Sequence, residues 1–409
     1  MIDYILRVPN LHLFGEPNTN TTASQGLTDE MKTYYSDYLI DLVEPELVHD
    51  LFAQKHPIPK NNGKTIEFRQ WDSLPEMTTP LTEGVTPDGQ SLSMSTIMAT
   101  VEQYGGYVTL SDMLMLTTID PALVIATKAI ASQAGRTLDT ITREVLNSGT
   151  VVQYAEGQVT SRSQLSYTDA EHNHNLTAKA IKMAVRFLES QDAPKIDGYY
   201  VGIVNPYTKF DLTNDKEWRA PHEYVDTDNI YTNEIGELYG VRFVQSSRAK
   251  KFAAEKLASD SKTLTVNKSG GYTGAITSVV FDGGTVANDA LKGRKIMMNG
   301  ITATVTANTA TTLTFASTNF GTIADDAVIY PGEGGANGVD IYSTLIMGAD
   351  AYGTTEISGG GLQHITKQLG SAGTADALDQ RATCGWKATK VSELLVPQYI
   401  VRIETTATP

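Results

Sequence analysis

The sequence predicts an α+β chain with a small all-β domain inserted into it, and three observations lead there. One is an amphipathic run over 121–147, where Leu123, Ala126, Ile130, Ala134, Leu138, Ile141 and Val145 recur at helical spacing. Another is a pair of strand-like segments that flank the polar stretch "PLTEGVTPDGQSLS", residues 80–93. The third is a break in composition near residue 260, where Glu is absent from 256 to 332 and Thr, Gly and Val take over.

Residues 1–27 read as an extended N-terminal arm. Pro9, Gly15, Pro17 and the "NTNTTASQG" run break up any regular element, and Leu11, Leu13 and Phe14 give the arm apolar groups to bury on another surface. Residues 28–59 form an N-terminal helical segment. Thr28 caps it, Asp29 and Glu30 suit its first turn, and Met31, Tyr35, Leu39, Leu42 and Val43 line one face. Pro45 interrupts or restarts the helix, which "ELVHDLF" carries to about residue 53.

In 60–110, "KTIEFRQW" alternates Ile66 and Phe68 with Glu67 and Arg69, the period of a half-buried strand. "STIMATVEQY" is a second strand to about residue 104, and "GGYVTLSD" reads as a glycine break and a short third strand. A polar loop this long is uncommon inside a compact domain unless it carries function. The segment 111–196 follows with the long helix, where Asp120 is the expected N-cap, Pro121 takes the first helical position and "NSG" ends it. At 1.5 Å per residue that helix is about 40 Å long. A second amphipathic helix spans 176–190, with Ile181, Ala184, Val185 and Leu188 inward.

Residues 197–260 bring a buried strand in "GYYVGIVNP", a short helix in "YTKFDLTND" and a further strand in "IGELYGVRFVQSS". The all-β insert is expected over 261–336, with an Asn299-Gly300 hairpin in "KIMMNGITATV" and another strand in "TATTLTF". Host composition resumes in 337–375 with "DIYSTLIMGADAYG", and 376–409 ends in a strand rich in Ile, Val and Tyr.

The totals narrow the function classes. A formal net charge of −15 makes the chain a poor candidate for gripping nucleic acid by neutralising phosphates. Cys384 is the single cysteine, so no intrachain disulfide is expected. The N-terminal residues lack the pattern of a signal peptide, and no window approaches the ~18 apolar residues of a membrane span, so no membrane partner is expected.

No catalytic constellation stands out. "EHNHN" offers His172 and His174 beside Glu171, but a zinc site needs a third or fourth ligand, and the plain reading is a polar surface loop. The glycine clusters "GEGGANG" and "SGGGL" lack the Lys and Ser/Thr of a phosphate loop and read as linkers and turns. Glu83 and Asp88 could pair as an acid and a base, yet a Pro/Gly loop is a poor platform for a preorganised site. The expectation is therefore no catalytic residues, no metal and no cofactor.

Five segments carry a resemblance: "PLTEGVTPDGQSLS", "ATVEQYGGYVTLSD", "NEIGELYGVRFVQSS", "IMGADAYG" and "LDQRATCGWKA…YIVRIETT". Together, and in this order over about 330 residues, they resemble the major capsid proteins of tailed bacteriophages, which have the Hong Kong 97-type fold. The resemblance implies that 60–110 form the extended hairpin called the E-loop, that 121–147 is the spine helix of a peripheral domain over 111–196, and that 197–260 with 337–375 form the axial domain. It implies that 376–409 return to the peripheral sheet. It also implies self-assembly into hexamers and pentamers of an icosahedral shell around double-stranded DNA, without sequence-specific binding. Scaffolding, portal or decoration proteins are implied partners. Localisation would be the virion, with assembly in the host cytoplasm. The subunit-interface residues expected are Leu81, Thr82, Glu83, Gly84, Val85 and Asp88 at the E-loop tip, with Leu11, Leu13 and Phe14 in the arm. The β insert departs from the plain pattern. Two rivals remain: an encapsulin-type nanocompartment shell, told apart by protein cargo in place of DNA, and a hydrolase with a β-rich carbohydrate-binding insert, told apart by turnover from a monomer.

Overall fold

The computed structural model describes residues 19–21, 48–71, 74–81, 83, 84, 86, 88–117, 122–167, 173–218, 234–371, 378 and 380–408. The arm residues Leu11, Leu13 and Phe14, the helix expected from Thr28 to Val43, the loop residues Thr82 and Val85, and the cap Asp120-Pro121 lie outside the described residues. The chain forms two compact units. One holds 1–48, 56–139 and 355–391, and the other holds 49–55, 140–354 and 392–409. Elements are numbered along the chain.

In the first unit, β3 (Thr65–Trp71) and β4 (Met94–Thr100) form an antiparallel hairpin that is a two-stranded sheet of its own. Then β5 (Glu102–Ser111) pairs antiparallel with β20 (Arg381–Leu394) from Glu102↔Lys390 to Ser111↔Arg381. Strand β19 (Gln363–Lys367) joins the other side of β20, and β1 (Thr19–Thr21) runs parallel to β5. A short helix α1 (Asp112–Thr117) follows β5 directly, and α2 (Ala122–Leu146) is the long helix expected from sequence, at 25 residues. Its small and branched stripe is what lets it lie close on the sheet: Ile130, Ala131, Ala134 and Leu138 bury against Cys384, Trp386 and Ala388 of β20. Trp386 donates its indole N–H to Gln133 Oε1 at 3.2 Å, so the polar edge of the ring is satisfied where the ring is buried.

Two expectations change here. His49–Ala53 form turns and a bend, not the end of a helix. Gly105 and Gly106 do not break the chain but lie within β5, which starts after an interruption at Val101. They are small because neighbours approach closely: a Cβ on Gly105 would sit 2.7 Å from the Trp386 carbonyl oxygen of the paired strand β20, and one on Gly106 would sit 2.8 Å from Gln133 Oε1 of the long helix.

In the second unit a mixed seven-stranded sheet has the order β6-β21-β17-β7-β9-β8, with β10 (Lys251–Phe252) also on β17. Its strands are β6 (Val152–Tyr154), β7 (Tyr200–Val204), β8 (Glu234–Leu238), β9 (Val241–Gln245), β17 (Ile341–Met347) and β21 (Ile400–Thr405). Every residue of β7 and β17 is buried, as their continuous apolar runs require of central strands. Helix α3 (Ala178–Ser190) packs Ile181, Ala184, Val185 and Leu188 onto this core, and Thr177 caps it by accepting from the Ala180 N–H at 3.2 Å. Helix α4 (Pro206–Asn214) starts at an Asn205 cap with Pro206 in its first turn. Strand β2 (Gln54–Lys55) pairs with β18 (Tyr352–Thr355).

From sequence, 376–409 form one returning segment; in the structure it divides. Arg381–Val391 belong to the first unit and pair with β5, whereas β21 lies in the seven-stranded sheet beside β17, from Tyr342↔Thr405 to Met347↔Ile400. The almost wholly buried pattern of β21 explains its place, since only a central strand of a covered sheet buries both faces.

The insert is a closed six-stranded barrel, ordered β11-β12-β15-β14-β13-β16. Its strands are β11 (Leu264–Val266), β12 (Tyr272–Asp282), β13 (Lys295–Met298), β14 (Ile301–Asn308), β15 (Thr312–Ile323) and β16 (Val328–Pro331). Asn299 and Gly300 make the turn with φ of 49° and 72°, the left-handed pair that a two-residue hairpin needs, and Met298 pairs with Ile301. The barrel has its own core around Val279, Phe281, Ile296, Phe315 and Phe320, and this core also takes Leu257 and Ala258. Closure leaves no unpaired edge inside the module.

Gly202 in β7 supports a stability prediction. An added Cβ would lie 2.6 Å from the Phe243 ring of the adjacent parallel strand. Gly202→Ala is expected to lower unfolding stability by about 1–3 kcal/mol through overpacking. Denaturant unfolding of the subunit checks this, with an unchanged midpoint counting against the packing account.

Candidate assembly surface

The hairpin β3–β4 sorts its side chains by strand period. Ile66 and Phe68 pair with Ala99 and Ile97 and share the face turned toward protein, where His56 meets the Phe68 ring edge-on at 6.1 Å. The opposite face carries Glu67, Arg69 and Trp71 against Met98, Thr96 and Met94. On it Trp71, Met94 and Met98 are exposed, with Met98 at 73%. The connecting loop adds exposed Leu74, Met77, Leu81 and Leu92. Large apolar side chains scattered singly over a surface need no explanation, but seven within one hairpin and its loop form a concentration that makes it the candidate contact surface. The only ion pair described on the strands, Arg69–Glu67 at 3.3 Å, is exposed at both ends and contributes little.

Of the tip residues expected from sequence, Leu81 is 73% exposed, and Glu83, Gly84 and Asp88 are exposed beside it. Gly84 has φ of +81° with nothing within 4 Å of an added Cβ, so its role is the turn and not a close approach. Gln90 donates to the Pro75 carbonyl at 3.3 Å across the loop. Thr82, Val85 and the arm residues Leu11, Leu13 and Phe14 lie outside the described residues. Sequence reasoning missed Trp71, Leu74, Met77, Leu92, Met94 and Met98 as members of this surface. The signal was present for the strand residues, because Trp71, Met94 and Met98 fall on the alternate face from Phe68 and Ile97.

The Cys384 thiol is buried, and burial pushes its pKa up, while the nearby Thr127 and Thr366 hydroxyls pull the other way. His364 Nε2 lies 3.2 Å from its sulfur, and desolvation pushes the imidazole pKa down. Both shifts favour the neutral forms over a thiolate–imidazolium pair. His174 is not on a polar surface loop: it is buried, with Nδ1 2.9 Å from the Ser166 backbone N–H. Among the described residues no group of three His, Cys, Asp or Glu could hold a metal ion, and no helix is long and apolar enough to cross a membrane.

A buried ion-pair network centres on Glu404 of β21. Its carboxylate is fully buried and receives both ends of the Arg162 guanidinium, Nε and Nη2, at 2.6 Å each. Arg402 Nε approaches at 2.9 Å, and Arg162 stacks 3.4 Å over the Phe252 ring. This network ties the segment after β6 and strand β10 to the last strand of the seven-stranded sheet.

Comparison with known proteins agrees with the geometry. The family model described as phage capsid protein matches residues 94–273, which run from β4 through the long helix and strands β6 to β10 of the seven-stranded sheet into the barrel. The capsid of Ralstonia phage GP4 matches with a TM-score of 0.54 at 12% identity, covering 98% of this chain and 99% of that one. The capsid of the cyanophage P-SCSP1u matches with a TM-score of 0.50 at 12% identity, over 88% of this chain and 89% of the other. No curated protein matches. With a family match from the second hairpin strand through the long helix, and a fold shared along nearly the whole chain, the protein is similar to phage capsid proteins and has their fold.

Proposed function

We propose that copies of this chain assemble as hexamers and pentamers into an icosahedral head shell around double-stranded DNA, each hairpin 65–100 lying on a neighbouring subunit. The observation that carries this reading is the hairpin itself, a separate two-stranded sheet with seven exposed large apolar side chains on it and its loop. Such a surface gains its burial when a second copy covers it, and repetition of one unlike-to-unlike contact builds closed rings. The role requires no catalysis. The net charge of −15 suits a wall that encloses DNA without binding it tightly along its surface. Assembly in the host cytoplasm and contacts with scaffolding, portal or decoration proteins belong to the same proposal. Electron microscopy of the purified protein tests it: closed shells are expected, and a monomer under all assembly conditions would overturn it.

The barrel is proposed as a module added to the shell subunit and not needed for closure. Its entry and exit lie side by side, because β10 pairs directly with β17 through Lys251↔Tyr342 and Phe252↔Ile341. Asp340 also accepts from the Ala254 N–H at 2.8 Å. A short Gly linker can therefore replace the barrel without moving the host strands. Because Leu257 and Ala258 belong to the barrel core, the cut belongs before them and not at residue 261. Deletion of 257–336 is expected to leave shells of normal diameter by electron microscopy. Loss of all assembly from a folded deletion variant would make the barrel part of the shell contacts.

A further inference from the structure

In a chain of net charge −15, one cavity of about 400 Å³ in the second unit is lined by four cations: Arg143, Arg248, Lys250 and Lys251. Asn205 and Tyr207, at the start of α4, complete the relevant lining. Three of these cations meet two carboxylates. Glu144 takes Lys250 and the Arg143 Nη2 at 2.7 Å, and Asp340 takes Lys251 at 2.6 Å. Arg143, Lys250 and Lys251 therefore outnumber their carboxylates by one. An ammonium has three hydrogens, and one carboxylate contact leaves donors on Lys250 and Lys251 for a ligand. The guanidinium groups are braced: Arg143 Nη1 donates to the Arg248 carbonyl at 3.0 Å, and Arg248 Nη2 to Thr140 Oγ1 at 2.9 Å. Helix α4 begins at the same wall, adding the positive end of its dipole.

We propose that this cavity binds a phosphate group, held by Lys250 and Lys251 with Arg143 and Arg248 behind them. The tetrahedral oxyanion fits the requirement for several acceptor oxygens meeting donors from different directions. Phosphate reaches a phage protein either free in solution or as the backbone of DNA, and the pocket chemistry is shared between the two.

The test titrates inorganic phosphate into the full-length subunit at fixed ionic strength by calorimetry. Saturable binding is expected, weakened at least about tenfold, or ~1.4 kcal/mol, in the Lys250→Gln/Lys251→Gln variant. The Lys250→Arg/Lys251→Arg variant should retain binding. If loss of the Glu144 contact disturbs folding, the single Lys251→Gln variant, at a part-exposed position, is expected to bind more weakly than wild type. Absence of saturable binding by the wild-type protein would overturn the proposal, as would equal affinity in a folded Lys-to-Gln variant. A short DNA duplex that displaces the phosphate assigns the pocket to backbone phosphate; a duplex that does not displace it assigns the pocket to the free anion, with the site itself supported either way.

Discussion

Leu81→Asp and Trp71→Asp are each expected to abolish shell formation while leaving a folded subunit. Both side chains are largely exposed within the subunit, at 73% and 62%, so neither substitution removes a core contact. At an interface the balance is different. Each loses about 1.5–3 kcal/mol of apolar burial. Each also places a carboxylate where a neighbour would desolvate it, at a further cost of several kcal/mol unless it finds a partner. A loss of ~3 kcal/mol per contact weakens each contact about 150-fold, and the loss recurs at every such contact in a shell. Gly84→Pro acts by another route: proline fixes φ near −65°, whereas Gly84 stands at +81°, so the loop must take a different path. Circular dichroism should report wild-type folding for all three variants, with sedimentation showing subunits or small oligomers. Normal particles from Leu81→Asp and Trp71→Asp together would remove the hairpin from the interface.

Glu404→Ala is expected to destabilise the subunit by about 3 kcal/mol, the lower end of the range for breaking a buried ion pair, because Arg162 and Arg402 retain some exposure. Two guanidinium groups would be left facing a space without a carboxylate. Arg402 keeps its bonds to the Asn147 and Gly149 carbonyls, so most of the loss should come through Arg162. The double variant Glu404→Leu/Arg162→Met should recover much of the deficit, since it removes the buried charge with its main partner. Denaturant unfolding of dissociated subunits measures both. An undiminished midpoint in Glu404→Ala would mean that water replaces the carboxylate at little cost.

Elements governed by local pattern were legible in the sequence. The stripe from Leu123 to Val145 gives the long helix, the Ile181–Leu188 face gives α3, and Asn299-Gly300 gives the barrel turn. What failed depended on distant partners. Gly105-Gly106 looks like a break until β20 and Gln133 are placed against it, and then it is a close approach within one long strand. His174 looks like a surface residue until Ser166 folds over it. The ladder that draws β21 away from the strand just before it joins residues far apart in sequence, and no local period encodes that choice. The exposed apolar face of the hairpin and its loop was half legible. Its polar, glycine-bearing tip stood out, but Trp71, Met94 and Met98 read as ordinary strand residues until the register showed which face they share.

The central claim is that this face and the loop beyond it are covered by another copy, and thiol protection tests it most directly. Cys384 is the single native cysteine and is fully buried, so a cysteine introduced by Met98→Cys or Leu92→Cys is the dominant reactive group. Labelling with a maleimide is measured on dissociated subunits and on assembled shells of the same variant. The predicted result is rapid labelling of subunits and at least about tenfold slower labelling in shells, the effect of ~1.4 kcal/mol of contact energy at the site. Equal rates at both positions in subunits and in shells would contradict the account.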